Sequence, residues 1–296
     1  MNIIIDCDPG TDDAIAMCAA IGSNLVNLLG VTIVGGNVHR WVGERNARDV
    51  LAYVNQSEVP VFAGANRPLK GFYKYAYHYH GRNGLCTTIP SQGKAPHGNQ
   101  NAVDFINETL EEHPEGVSIF ALGPLTNIAK VLAGNSGFHK NIDRIYVMGG
   151  AFQTEGNVTP FAEFNVYQDP LAANLVFSSD VPVSIVGLDV CNDVYVSRYS
   201  IPWLVGDTKR DNLCSAILEG WFDYRKDDDK YILCDPLTVA SAINQDLIKY
   251  EAAEVSVVEN GIEIGRTIAE FGKNGVDVAT EVDAGSAYQY IASLIS

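Results

Sequence analysis

Residues 6–13 read Asp-Cys-Asp-Pro-Gly-Thr-Asp-Asp, four carboxylates in eight positions. Two like charges ~4 Å apart repel by roughly 4 kcal/mol near a protein surface, so the cluster repels itself unless a cation neutralises it. Oxygen donors without clustered His or Cys suit a hard ion, Ca²⁺ or Mg²⁺, better than Zn²⁺. Such an ion lowers the pKa of water beside it, and a neighbouring carboxylate can take the proton. Singly, each aspartate has a structural role open to it: Asp12 and Asp13 at a helix N-terminus, Asp6 hydrogen-bonded to a loop. That role does not account for all four together.

The elements that must position the cluster are legible as periodicity. Short β-branched runs at residues 2–6, 28–34, 59–62, 117–122, 142–148 and 183–188 alternate with helical patterns near 12–22, 40–55, 100–113, 125–134 and 170–178. This alternation predicts an α/β fold with one doubly wound, mostly parallel sheet flanked by helices. The carboxylates then fall at the carboxyl end of the first strand, where open α/β sheets bind ligands. Alternation along that strand sends Asp6 and Asp8 to one side, and Pro9-Gly10 turns the chain so that Asp12 and Asp13 begin a helix. Residues 66–99, rich in Gly, Asn and Tyr, are long for a connection and read as a flexible active-site flap. After Arg198 the pattern turns helical through Trp221, and helices in 198–226 could stand proud as a cap. Residues 254–270 read as a C-terminal β-hairpin around Asn260-Gly261 that extends the sheet edge.

Composition narrows the function classes. The 296 residues are 47% hydrophobic and lack a Pro-, Gly- or Ser-rich linker, which predicts a single domain over 1–296. Thirty-six acidic residues against 20 Lys plus Arg leave a net charge of −16, which repels polyphosphate, so no nucleic-acid partner is expected. No segment approaches the ~20 apolar residues of a membrane helix, and the N-terminus lacks a signal peptide's basic start and apolar run. Six cysteines without a CxxC pair read as reduced thiols of a cytoplasmic protein.

Residues 6–14, DCDPGTDDA, match in full the signature DxDPGxDDA, and here the sequence resembles the nucleoside hydrolase family, the inosine-uridine preferring N-ribohydrolases. The resemblance continues through Gly36-Asn37, His80-Gly81, Leu-Gly-Pro-Leu-Thr-Asn at 122–127, Met-Gly-Gly at 148–150, Gly156-Asn157, Ala-Glu-Phe-Asn at 162–165 and Asp235-Pro236. It implies Ca²⁺ ligation by Asp8, Asp13, Asp235 and the Leu122 carbonyl, with Asp8 as catalytic base and Asn37 near the attacking water. It further implies ribose-hydroxyl contacts from Asp12, Asn157, Glu163 and Asn165, a ribonucleoside substrate cleaved to base and ribose, and a homodimer or homotetramer. The donor and acceptor inventory of that set suits ribose and rejects deoxyribose.

Cleavage of an N-glycosidic bond passes through an oxocarbenium-like cation and needs a water, negative potential around the sugar and a proton for the leaving base. Many family members carry His just before the last metal-binding Asp; here Cys234 stands there, as in a minority subgroup this chain resembles. All six histidines lie in the first half of the chain. Cys234 is either a proton donor or a small packing residue, and His80 either a ligand contact or a satisfied loop histidine. Tyr73, Tyr75, Tyr77 and Tyr79 alternate in the flap, while Trp221, Phe222, Tyr224 and Tyr231 precede Cys234. From these, Trp221, Tyr224 and Tyr231 are candidates to stack on the base. Two rivals remain. Asp6-x-Asp8 resembles a haloacid-dehalogenase-type phosphohydrolase motif, although Gly10 stands where that motif wants Thr or Val; and a ribose- or nucleoside-binding protein could keep the cation without turnover.

Overall fold

The computed structural model describes residues 1–90, 95–134, 137–200 and 206–296. Its strands are β1 (Asn2–Cys7), β2 (Asn27–Ile33), β3 (Val61–Ala63), β4 (Val117–Ala121), β5 (Ile142–Met148), β6 (Val183–Val186), β7 (Tyr195–Ser197), β8 (Lys230–Ile232), β9 (Ile248–Val257), β10 (Thr267–Phe271) and β11 (Val276–Val282). Its helices are α1 (Thr11–Gly22), α2 (Arg40–Tyr53), α3 (Tyr77–His80), α4 (Ala102–Glu112), α5 (Thr126–Ala133), α6 (Phe164–Gln168), α7 (Pro170–Phe177), α8 (Leu188–Cys191), α9 (Lys209–Tyr224), α10 (Cys234–Ile243) and α11 (Ala284–Ile295).

Nine strands form one sheet in the order β10-β9-β11-β6-β5-β4-β1-β2-β3. From β11 to β3 neighbours run parallel, and β9 pairs antiparallel with β10 and β11. β1 lies between β4 and β2, with Ile5 opposite Val31 on one side and Phe120 on the other. Successive side chains of a strand face opposite ways, so Ile3, Ile5 and Cys7 pack with α1, α2, α9, α10 and α11, whereas Ile4 packs with α4, α5 and α7. Burial on both faces is why β1 reads as an apolar run instead of an alternating one.

Three details differ from the sequence reading. The hairpin is wider than a two-residue turn: β9 ends at Val257, β10 starts at Thr267, and Val258 N donates to Arg266 O at 2.9 Å, which leaves Asn260-Gly261 within a longer loop. A third strand, β11, links this antiparallel pair to β6; its sequence VDVATEV mixes charge with apolar residues and carries no strong strand signal. Within 198–226, residues 201–205 lie outside the described residues, and α9 does not stand proud. Leu213, Cys214, Ile217, Leu218 and Trp221 form one buried stripe at helical spacing against α1 and α11.

The described part of the flap is tied down. Leu69 N donates to Asp169 Oδ2 and Lys74 N to Gln168 Oε1, both at 2.8 Å, and Ala76 N to Asn37 O at 2.8 Å. Residues 91–94 of the predicted flap lie outside the described residues. Among the described residues, no helix is long and apolar enough to cross a membrane.

Candidate active site

β1 connects to β2 on one side while β4 lies on the other, so the strand order reverses at the carboxyl ends of β1 and β4, the crevice where doubly wound sheets bind ligands. Leu122 follows β4, and its N–H donates to Asp6 O at 2.8 Å, which locks the two strand ends in register. Asp8 follows β1 and is buried, as are Asp13 in the first turn of α1 and Asp235 in the first turn of α10. Asp13 Oδ2 accepts from Gly10 N at 2.8 Å and Oδ1 from Asp8 N at 3.2 Å. Asn37 brackets the pair: its backbone N–H donates to Asp8 Oδ2 and its side-chain amide to Asp13 Oδ2 at 3.1 Å. Gly36 permits this approach, because a Cβ there would lie 2.0 Å from Asp8 Oδ2.

Carboxylate oxygens of Asp12, Asp13 and Asp235 come within 4.8 Å of one another. Burial pushes Asp8 and Asp235 well above the usual carboxylate range, with further upward pushes from Asp13 on Asp8 and from Asp12 on Asp235. Burial also pushes Asp13 up to about 7 and Asp12 up to about 6. Asp12 Oδ1 is shielded from solvent and has no hydrogen-bond partner among the described residues. Asp12 Oδ1 thus faces the cluster without a hydrogen-bond donor, and the clustered groups are hard oxygens: the set fits a divalent cation. The structure puts Asp12, read from the sequence as a ribose contact, inside this triad, and sets Asp8 next to it through Asp13 and Asn37.

Asp6 lies elsewhere than the cluster reading supposed. It is fully buried one layer down, with Oδ1 accepting from Thr32 Oγ1 at 2.6 Å and Asn127 Nδ2 at 2.7 Å, and burial pushes it up to about 7. It does not line the cavity; of the motif's four carboxylates only Asp12 does, while Asp8 and Asp13 touch each other and Asn37.

Over the carboxylates opens a cavity of about 470 Å³, within the range of small-molecule sites. One wall holds Asn157, Glu163 and Asn165. Glu163 is fixed as the cap of α6, its carboxylate accepting from the N–H groups of Asn165 (2.7 Å), Val166 (3.0 Å) and Gly150 (3.1 Å). Burial raises its pKa against those three bonds. Asn165 donates to Leu122 O at 2.8 Å, so this carbonyl, expected as a cation ligand, also anchors the sugar-side wall. The opposite wall is the flap, with Tyr75, His78, Tyr79 and His80.

His80 is 3% exposed, and burial lowers its pKa to about 4, which makes the ring neutral at pH 7. Thr11 N donates to its Nδ1 at 3.2 Å, which leaves the hydrogen of the neutral ring on Nε2. Cys234 lines the cavity, and its pKa is pushed well above that of a free thiol by contact with the Cys191 thiol and by burial, so it carries its proton.

The aromatic expectation is the one the structure corrects. Trp221 is 1% exposed and packs edge-on against Tyr79 (5.2 Å) and Tyr231 (4.8 Å). Tyr231 is buried and donates to Thr11 Oγ1 at 2.9 Å, and that hydroxyl lies 2.9 Å from His80 Nδ1. Tyr224 is half-exposed and donates to Tyr77 O at 3.2 Å. None of the three lines the cavity; they form a layer behind the flap because the apolar stripe of α9 draws Trp221 inward. The aromatic wall residues are Tyr75, Tyr79 and Phe164. The alternating tyrosines pointed to the first two, whereas Phe164, Asn192 and Ile232 gave no signal as wall residues.

Fold and site together are those of a doubly wound α/β protein with a carboxylate-rich crevice at its switch point. The chain belongs to the inosine-uridine preferring nucleoside hydrolase family, whose model matches residues 3–289, and so to enzymes that cleave ribonucleosides to base and ribose. It is 34% identical to uridine nucleosidase 1 of Arabidopsis thaliana over 98% of this chain and 91% of that protein. It is 35% identical to the pyrimidine-specific ribonucleoside hydrolase RihA of Shewanella sp. (strain MR-4), over 90% of this chain and 86% of that one. Among solved structures, a plant nucleoside hydrolase matches with TM-score 0.93 and 30% identity over 99% of this chain and 98% of that chain. The purine-preferring ribonucleoside hydrolase of Gardnerella vaginalis matches with TM-score 0.92 and 29% identity over 100% and 98%.

Proposed function

We propose that this chain hydrolyses ribonucleosides to free base and ribose with Ca²⁺ held by Asp8, Asp13, Asp235 and the Leu122 carbonyl. It does so as one domain, in a homodimer or homotetramer, in the reducing cytoplasm that its free cysteines suit. The observation that carries the reading is the meeting, in one cavity, of Asp12 and Asp235 from the clustered carboxylates with Asn157, Glu163 and Asn165. Bound Ca²⁺ offsets the carboxylate charge and acidifies a nearby water. The chain's own residues do the rest. Asp8 takes a proton from the attacking water at its carboxylate, and Asn37 keeps that carboxylate aimed. Asp12, Asn157, Glu163 and Asn165 hold the ribose hydroxyls, and the surrounding negative charge stabilises the developing oxocarbenium character. Cys234, in the place where a subgroup of the family has Cys for His, donates its Sγ–H to the leaving base, and His80 offers its Nε2–H to the same region.

The test is release of reducing sugar from uridine, cytidine, inosine and guanosine, with uridine first because two of the relatives are named a uridine nucleosidase and a pyrimidine-specific ribonucleoside hydrolase. Turnover with Ca²⁺ is expected to fall at least a hundredfold with a chelator and to return when Ca²⁺ is restored. Nucleoside binding without ribose release would favour a binding protein, and turnover indifferent to the chelator would overturn the metal assignment.

Cys234→Ala separates donor from packing residue. The substitution is expected to lower kcat on natural nucleosides by roughly ten- to a hundredfold, the low end of general-acid effects, while sparing a nitrophenyl riboside whose leaving group departs as a stabilised anion. Equal losses on both substrates would mean that Asp235 had been disturbed, and no loss on either would make Cys234 a packing residue.

A further inference from the structure

We infer that Arg225, seconded by Tyr224, is a positioning residue that latches the flap over the cavity and thereby sets substrate affinity; the inference rests on the hydrolase reading above. α3 is a single turn, so its last carbonyls have no partner within the helix. Two of them are met from α9: Tyr224 Oη donates to Tyr77 O at 3.2 Å and Arg225 Nη1 donates to His78 O at 3.3 Å. The Arg225 guanidinium also lies 5.5 Å from the centre of the Tyr79 ring, which Trp221 meets edge-on at 5.2 Å. His78 and Tyr79 line the cavity, and the next residue, His80, reaches Thr11 at the start of α1. A contact at the protein surface is therefore joined, residue by residue, to the wall of the site.

Arg225 is itself aimed. Its Nε pairs with Asp228 Oδ2 at 2.5 Å, its N–H closes α9 on Trp221 O at 2.7 Å, and its carbonyl accepts from Arg198 Nη2 at 2.7 Å. Arg198 also gathers the carbonyls of Phe222 and Asp228, which fixes the end of α9 as a rigid platform. The far end of the flap is held by buried groups, Asp169 and Gln168. The α9 end is held by two exposed contacts, Tyr224 to Tyr77 O and Arg225 to His78 O, beside the buried anchors of His80 on Thr11 and Ala76 on Asn37; the exposed pair is what an opening of residues 77–79 breaks first. A latch that favours the closed flap improves binding of substrate and transition state alike, so its loss appears in KM more than in kcat.

The experiment compares steady-state uridine hydrolysis and amide hydrogen exchange of residues 74–81 in the wild type, Arg225→Ala, Arg225→Lys and Tyr224→Phe. For Arg225→Ala a KM about tenfold higher is expected, with kcat within threefold and faster exchange confined to 74–81. Lys keeps a cation for the His78 carbonyl and the Tyr79 face, and is expected to bring KM back to within about threefold of wild type. An unchanged KM with wild-type exchange overturns the latch, as does a kcat loss equal to the KM effect. If Arg225→Ala loosens β1 and β4 as well, Tyr224→Phe decides: a two- to threefold KM rise with exchange altered in 74–81 alone sustains the proposal, and wild-type behaviour overturns it. If the wild type hydrolyses no ribonucleoside, the hydrolase reading falls by itself, and the exchange arm still decides the latch.

Discussion

Asp8→Asn is expected to lower kcat for ribonucleoside hydrolysis by about a thousandfold while the protein stays folded. An amide of nearly the same shape keeps an oxygen for the Asn37 backbone N–H but cannot accept a proton from water, and general-base catalysis contributes about 10²–10⁴-fold. Folding is not at risk, because burial already pushes the Asp8 pKa well above the usual range, so its ionised form is unfavourable in the metal-free fold. The substitution removes a buried charge without opening a cavity. The check is kcat at saturating Ca²⁺, with circular dichroism and a melting curve on the same sample. A folded, Ca²⁺-saturated variant with near-normal kcat would refute both the base assignment and the reading of the cluster.

Discrimination against 2′-deoxynucleosides is expected to be of comparable size. Sites built to hydrogen-bond a hydroxyl reject the analogue lacking it by about 10⁴-fold, because their own polar groups are left desolvated and unpaired. The conditions for that penalty exist here: Asp12 Oδ1 is shielded with no protein partner, and Glu163 is 1% exposed with its carboxylate pinned by three backbone N–H groups. The comparison is kcat/KM for uridine against deoxyuridine, and values within tenfold of each other would sink the ribose-clamp reading.

Local signals settled much about this molecule before any tertiary contact was known. The β-branched runs and the helical periodicity between them correspond to β1–β6 and to α1, α2, α4, α5 and α7 within a few residues, since burial on both faces of a parallel sheet leaves a continuous apolar run. The motif at 6–14 placed the carboxylates at a strand end, and the resemblance carried by the later motifs named Asn37, Leu122, Glu163, Asn165 and Asp235. These residues, far apart in the chain, gather at one crevice. A backbone turn next to a strand end is a local property, so such residues can be read without knowing their neighbours.

Which face a side chain turns to is a property of its packing partners, and there only the tertiary structure could decide. Asp6 and Asp8 share a strand parity, yet Asp6 is held by Thr32 and Asn127 whereas Asp8 is held by Asn37 beside Asp13. Trp221 and Tyr79 are equally aromatic in the sequence, but the buried stripe of α9 takes the tryptophan inward and leaves the tyrosine on the cavity wall. Likewise Arg225 meets the flap only because α9 packs on α1 and ends beside α3. Periodicity determined the sheet and the strand-end place of the cluster, and the motif resemblance implied its chemistry; long-range packing, which sequence spacing does not encode, determined which groups reach the cavity and which support it from behind.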